Sequence, residues 1–233
     1  MDKKYTFEDL LNIVEKLRMP DGCPWDREQT HDSIKHNIIE EGYELIEALE
    51  SGDADKMADE SGDLLLQVVF HAQMAKEAGE YTMDDCINKI SEKLIHRHPH
   101  VFGGEELKTS EEVLEKWNAI KRDDRGQDTV AKELAGVSKG LPSLMRAEKV
   151  QKKAGKNGYV FQRPATLADS ISGMLKILED TNDKDIAEKY IGKMIFELVS
   201  AAASLGIEPE LALNKHTDLF IKEFEKFEQV KAQ

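Results

Sequence analysis

The stretch Ile38–Phe70, which reads IIEEGYELIEALESGDADKMADESGDLLLQVVF, decides the fold of this chain. Its apolar residues recur at intervals of three and four, which predicts two helices. Gly52 lies between them and predicts a tight turn, so the two helices should pack antiparallel. Both helices carry acids within their apolar patterns, and acids in such positions need an explanation that ordinary surface acids do not. These acids are Glu40, Glu41 and Glu44 before the turn, and Glu60 and Asp63 after it.

The spacing of these acids predicts a metal site. Glu41 and Glu44 are three residues apart, as are Glu60 and Asp63, and residues at this spacing share one face of a helix. The two pairs lie at similar distances from the turn, so we expect four carboxylates to converge. Converging carboxylates repel one another unless cations neutralise them, and hard oxygen ligands favour Mg²⁺ or Mn²⁺ over zinc. A solvated helix face is the alternative, but the apolar run after Asp63 indicates a largely buried helix.

The same helical periodicity continues through the rest of the chain, and strand signals are almost absent, so we predict an all-α fold. A first helix is expected to begin at Thr6 and to end before a run rich in Pro and Gly, which leaves Trp25 in a loop. Further along we expect helices at 30–51, 53–78 and 82–97, a loop at 98–104, and a helix from Ser110.

A segment of the second half resembles the acid-bearing segment of the first. YIGKMIFELVSAA at 190–202 superposes on ESGDLLLQVVFHA at 60–72, with glycine at the same place in both. We therefore predict two tandem related halves. They comprise a helical domain at 1–125, a linker at 126–140 and a degenerate second copy at 141–233.

The second copy lacks the acids of the first. Tyr190 and Lys193 stand where the first copy has Glu60 and Asp63. The helical frame is therefore kept without the carboxylates, and we expect only the first half to hold a site.

The bulk composition excludes several classes of protein. The formal net charge of -14 argues against a general nucleic-acid binder, although metal ions can bridge acidic side chains to a phosphorylated small molecule. No apolar run approaches the roughly 20 residues of a membrane span, and the N-terminus has no signal-peptide pattern, so we expect a cytoplasmic protein without a membrane partner. Cys23 and Cys86 are isolated from each other and from any CxxC pattern, which argues against a disulfide framework or a thiolate zinc site.

The acid motif resembles that of a known family. EEGYE at 40–44 followed by ESGD at 60–63 resembles the EExxE…ExxD pattern of the MazG nucleotide pyrophosphohydrolases. The resemblance covers nearly the whole chain. The flanking sequences that share it are GCPWDREQTH at 22–31, GDLLLQVVFHAQMA at 62–75 and RHPHVFGG at 97–104.

The resemblance implies an enzyme with an all-α bundle that usually dimerises. Its reaction would be the Mg²⁺-dependent hydrolysis of ribo- or deoxynucleoside triphosphates to the monophosphate and pyrophosphate, with Mn²⁺ as a substitute ion, in house-cleaning of the nucleotide pool. Matched residue by residue, the metal ligands are Glu41, Glu44, Glu60 and Asp63. Glu40 matches the first glutamate of the motif and is expected in a supporting role.

Further residues are candidates for less certain roles. Glu40 or Glu47 could accept the proton of the attacking water. We expect Lys93 and Arg97 to bind phosphate, as basic residues at this place do in the family, with Lys56 as a second choice. Each of these three could equally be a solvated surface residue.

The aromatic and histidine candidates complete the set. Trp25 could stack on the nucleobase, or it could pack under its own loop. We interpret His96, His98 and His100 as loop and interface residues rather than metal ligands.

Two alternatives to a broad triphosphate pyrophosphohydrolase remain open. One is a narrower hydrolase of the dUTPase or dCTPase kind, which shares the acid motif. The other is a non-catalytic nucleotide-binding module with a regulatory role. Pyrophosphate release from a panel of triphosphates separates the three.

Overall fold

The computed structural model describes residues 4–161 and 164–231, and these residues form thirteen helices and no strand. The all-α prediction is therefore confirmed. Contacts between Cα atoms divide the chain into two units, Met1–Val113 and Leu114–Gln233. The division falls inside one helix, α8 (Ser110–Asp124). The helices before it are α1 (Phe7–Arg18), α2 (Pro24–Glu28), α3 (His31–Ile34), α4 (Asn37–Ser51), α5 (Ala54–Ala78), α6 (Met83–Arg97) and α7 (Pro99–Phe102).

The first unit is built around α5, which packs against α1, α3, α4 and α6. A hydrophobic core joins α5 to α1 and α3 through five buried residues. They are Val14, Ile34, Val69, Phe70 and Met74.

The turn between α4 and α5 is fixed by local hydrogen bonds. Gly52 has a φ of 72°, a left-handed conformation that glycine adopts without steric cost. The Asp53 side chain accepts hydrogen bonds from the backbone N–H groups of Asp55 and Lys56, and so caps the start of α5. Ser51 Oγ accepts a hydrogen bond from the Asp53 N–H. These contacts hold the two acid-bearing helices as a hairpin.

Three local predictions differ from the structure. The helix expected at 30–51 is two helices, α3 and α4, which are separated by a turn at residues 35–36. Thr30 and Ser33 form a capping box at the start of the first of them. Trp25 lies in α2 and not in a loop. Residues 99–102 likewise form α7. Both short helices begin at a proline, which breaks a helix when internal but suits its first position.

In its described residues, the second unit contains most of α8, one short helix and four long helices. The helices after α8 are α9 (Val130–Ala135), α10 (Ser143–Lys156), α11 (Pro164–Asp180), α12 (Lys184–Ser204) and α13 (Pro209–Lys231). Of these, α12 packs against α10, α11 and α13, and α9 packs against α10.

The segment expected as a linker, 126–140, is more ordered than its polar composition indicates. It contains α9, and Val137 next to that helix is buried. Glu133 is buried too and forms an ion pair with Lys153 of α10. The segment therefore packs onto the second unit, while the division into domains stays a prediction.

The turn before α12 has the same capping arrangement as the turn before α5. Asp183 accepts hydrogen bonds from the N–H groups of Asp185 and Ile186, and Thr181 Oγ1 accepts one from the Asp183 N–H. These residues lie 130 positions after their counterparts at the first turn. Val69 and Val199, at the same offset, are both almost fully buried. Related halves would have this arrangement.

Apolar side chains are exposed on several helices of both units, and α6 and α13 each carry a row of them. On α6, Ile87, Ile90 and Leu94 are exposed, and on α13 the phenylalanines 220, 224 and 227 are exposed. Both sets recur at helical spacing, so each forms one face of its helix. No single helix in the described residues has the length and apolar composition of a membrane span, although the bent pair α12 and α13 meets that test on length and composition alone.

Candidate metal centre

Three carboxylates from the hairpin converge at one place. Glu41 comes from α4, and Glu60 and Asp63 come from α5, and one oxygen of each lies within 4.8 Å of the others. Glu41 and Glu60 are half-buried, whereas Asp63 is exposed. The hairpin turn explains the meeting, because Glu41 precedes Gly52 by as many residues as Asp63 follows it. The spacing of the acids predicts a convergence of four carboxylates, and three of them meet in this cluster.

The cluster fits a small divalent cation. All three donors are carboxylate oxygens, which are the ligands that Mg²⁺ and Mn²⁺ prefer. Oxygens bound to one Mg²⁺ at about 2.1 Å lie no more than about 4.2 Å apart. The three oxygens are within 4.8 Å of one another, so a shift of several tenths of an ångström in their side chains would let all three bind one ion.

The electrostatics of the cluster favour a cation as well. Burial raises the pKa of the Glu41 carboxyl, and the negative charges of Asp63, Glu44, Glu40 and Glu60 raise it further. Burial also raises the pKa of Glu60, together with the charges of Glu44, Asp63, Asp59 and Glu47. The ionised acids therefore destabilise one another, and a bound cation would relieve this repulsion.

The remaining acids of the motif lie around the cluster of three. Glu44 is exposed and is not in that cluster, but its charge raises the pKa of both Glu41 and Glu60. Glu40 and Glu47 are exposed too, and each acts on one member of the cluster in the same way. Glu44 therefore acts electrostatically on the cluster, and its role as a ligand stays a prediction.

A glutamine that the sequence did not single out contacts the cluster. Gln67 of α5 is buried, and its Nε2 donates a hydrogen bond of 3.3 Å to Glu41 Oε1. The only sequence signal for it is one polar residue inside the apolar run LLLQVVF. Helical periodicity places such a residue on one face of its helix but does not reveal its partner on α4.

The residues predicted to bind substrate lie on three different helices. Lys93 is exposed and Arg97 is half-buried near the end of α6, and Lys56 is exposed in the first turn of α5. Trp25 in α2 is 64% exposed, so it is not packed under a loop of this chain. The roles assigned to these four residues stay predictions.

Four of the histidines form two ring pairs. His98 Nδ1 lies 2.6 Å from the Leu94 carbonyl oxygen, and the rings of His98 and His100 are 5.6 Å apart. His71 forms a stacked pair with His31 of α3, with 2.6 Å between their Nδ1 atoms. His71 is therefore engaged by another histidine.

Comparison with known proteins finds one family. Residues 29–102 match the family model of the MazG nucleotide pyrophosphohydrolase domain. The nucleoside triphosphate pyrophosphohydrolase/pyrophosphatase MazG of Thermotoga maritima is 40% identical over 224 residues, which are 96% of this chain and 86% of that protein. The nucleoside triphosphate pyrophosphohydrolase of Escherichia coli is 38% identical over 229 residues, which are 96% of this chain and 87% of that protein. The crystal structure of a MazG-related protein from Thermotoga maritima covers 49% of this chain and 98% of its own, with a TM-score of 0.43 and 30% identity.

Proposed function

The chain belongs to the MazG family of nucleotide pyrophosphohydrolases, and we propose that the carboxylate cluster of its first unit is the active site. The reaction is the hydrolysis of a nucleoside triphosphate to the monophosphate and pyrophosphate. The convergence of Glu41, Glu60 and Asp63 carries the proposal, because it lies inside the segment that matches the family model.

The ion that we propose for this site is Mg²⁺, with Mn²⁺ as a substitute. Glu41, Glu60 and Asp63 would hold it, with Glu44 as a fourth ligand. A divalent ion at this place supplies charge that stabilises the phosphoryl oxygens and activates water. Burial raises the pKa values of Glu41 and Glu60, and repulsion from the neighbouring acids raises them further. A bound cation would relieve this repulsion.

The chain's own acids would move the proton in this reaction. Glu40 and Glu47 are exposed next to the cluster and are not among the three converging carboxylates. Either could accept a proton from the attacking water, because a carboxylate that does not bind the metal stays available as a base.

Basic and aromatic side chains would hold the nucleotide. Arg97 presents a planar fork that suits a phosphate, and Lys93 precedes it by one turn. Lys56 stands one turn before Glu60 and offers a second cation. The exposed face of Trp25 is open for stacking on the base.

We further propose that the protein is a cytoplasmic homodimer that binds neither nucleic acid nor membrane and acts in house-cleaning of the nucleotide pool. The exposed apolar face of α6 supports a partner copy, because exposed apolar patches mark protein–protein interaction sites. The net charge of -14 supports the absence of a nucleic-acid partner.

One experiment tests the function. Purified protein is mixed with each of the eight common ribo- and deoxynucleoside triphosphates, with Mg²⁺, with Mn²⁺ and with a chelator, and pyrophosphate release is measured. We expect release from several triphosphates that requires the divalent ion. Release from a single pyrimidine deoxynucleotide would favour the narrower hydrolase, and no release from any triphosphate would leave the regulatory module as the better interpretation.

A further inference from the structure

Gln67 is a buried amide whose polar partner lies on a different helix. It follows Asp63 by one turn of α5, so both side chains lie on the same face of that helix. It is 7% exposed, and its Nε2 donates to Glu41 Oε1 at 3.3 Å. The bond links α5 to α4 at the level of the carboxylate cluster.

The chemistry of a neutral donor suits this position. A carboxylate that binds a metal is oriented by hydrogen bonds from neighbouring groups, and such partners affect metal affinity. An amide N–H can hold Glu41 without neutralising it, whereas a lysine would cancel the charge that attracts the cation. An apolar residue would leave Oε1 of a half-buried carboxylate without this partner.

The second half of the chain offers an independent comparison. At the offset of 130 residues, Lys193 stands at the position of Asp63 and Glu197 at the position of Gln67. These two residues form an ion pair with each other, at 3.7 Å. The buried valine two residues further on is kept in both halves. The half without the acids therefore keeps the core position and lacks the amide, which ties Gln67 to the acids and not to helix packing.

We propose that Gln67 is a positioning residue for the metal centre. Its amide restricts the rotation of the Glu41 carboxylate and keeps it turned toward Glu60 and Asp63. The proposal rests on the proposed function, since it assigns Gln67 to the metal site of that reaction.

Direct binding of Mn²⁺ to the full-length protein tests the proposal. Calorimetry or electron paramagnetic resonance gives the dissociation constant for the wild type and for Gln67→Met, which keeps the length of the side chain and removes the donor. Gln73→Met is the matched control, because Gln73 also donates to a glutamate, Glu77, but on the surface of α5. We expect Gln67→Met to weaken Mn²⁺ binding about 10-fold or more, and Gln73→Met to leave it unchanged.

Enzyme kinetics provide a second readout that a merely structural role would not change. The Mg²⁺ concentration for half-maximal activity should rise about 10-fold in Gln67→Met. The KM for the nucleotide at saturating Mg²⁺ should stay close to that of the wild type. A structural role would instead lower the folded fraction, and thus kcat, at an unchanged Mg²⁺ requirement.

The outcomes separate this proposal from the function on which it rests. If the wild type binds Mn²⁺ and Gln67→Met binds it equally well, the positioning role is wrong and the metal centre stands. If the wild type binds no Mn²⁺, both are wrong. Gln67→Leu is made alongside, with thermal unfolding to check folding, and failure of both variants to fold would make Gln67 a core residue and overturn the proposal.

Discussion

Each carboxylate of the cluster raises the free energy of ionising its neighbours. Replacing Glu41 by Gln removes one charge and one ligand, so we expect pyrophosphate release to fall by about 100-fold or more, since a catalytic metal contributes several kcal/mol. Asp63→Asn should behave in the same way. Retained turnover in either variant would contradict the assignment of the site.

The same substitution should not destabilise the protein without metal. The folded-state pKa of Glu41 is raised, so the folded protein binds this proton more tightly than the unfolded chain does. The ionised carboxyl therefore lowers stability above the raised pKa, and this loss disappears as the pH falls toward the ordinary glutamate value of about 4.3. Thermal unfolding in a chelator should show Glu41→Gln at least as stable as the wild type at pH 7, with the difference vanishing near pH 4.

His71 predicts a pH dependence of stability with the opposite sign. Burial lowers its pKa and the neighbouring His31 lowers it further, so the unfolded chain binds this proton more tightly. The contribution to stability is therefore present above the ordinary histidine value of about 6.5 and is lost as the pH falls below it, through the lowered pKa. Unfolding measured from pH 8 to pH 5 should show a smaller acid loss in His71→Gln, and the same loss as the wild type in the control His216→Gln. An unchanged acid loss in His71→Gln would contradict the role of the pair.

At this scale the sequence predicts charge better than it predicts hydrogen bonds. The meeting of Glu41, Glu60 and Asp63 follows from helical spacing and from one turn, both of which are local. Gln67 was missed because its partner lies 26 residues away, and the direction of one polar side chain in an apolar run depends on packing.

At the scale of the helices, caps decide how well boundaries can be predicted. Thr6, Asp53 and Thr82 each cap a helix, because the side chain of each accepts a backbone hydrogen bond. The sequence predicts a helix start at all three residues. The break at residues 35–36 was missed because the apolar pattern continues across it and no capping side chain marks the start of α4. Prolines were interpreted as breakers where they begin the short helices α2 and α7.

The equivalent caps of the two halves allow a matched prediction. Asp53→Ala and Asp183→Ala each remove a side chain that accepts hydrogen bonds from two backbone N–H groups at a helix start. Each substitution should therefore lower the free energy of unfolding by about 1 kcal/mol. Only Asp53→Ala disturbs the hairpin that carries the acids. We therefore expect weaker Mn²⁺ binding in Asp53→Ala and wild-type binding in Asp183→Ala, measured by calorimetry after denaturant unfolding has given the two stabilities. Equal effects on metal binding would contradict a site confined to the first hairpin.

At the scale of the whole molecule, the all-α architecture follows from periodicity alone, whereas the connection between the halves does not. The segment at 126–140 is polar, and such composition is typical of a linker, yet α9 and Val137 pack within it. A short helix with one or two buried residues has too few apolar positions for its period to be recognised.

The distribution of the site over the chain leads to a prediction about fragments. The three converging acids, their hydrogen-bonded glutamine and the hairpin turn all belong to the unit Met1–Val113, and Tyr190 and Lys193 replace two of the acids in the other half. A fragment of residues 1–125 should therefore keep part of the Mg²⁺-dependent pyrophosphate release, provided that it folds and assembles. A fragment of residues 126–233 should release none.

Circular dichroism and size-exclusion chromatography establish the folding and assembly of both fragments, and activity is compared at equal protein concentration. Activity in the second fragment alone would mean that the half without the acids catalyses the reaction, and the carboxylate cluster would then lose its proposed role.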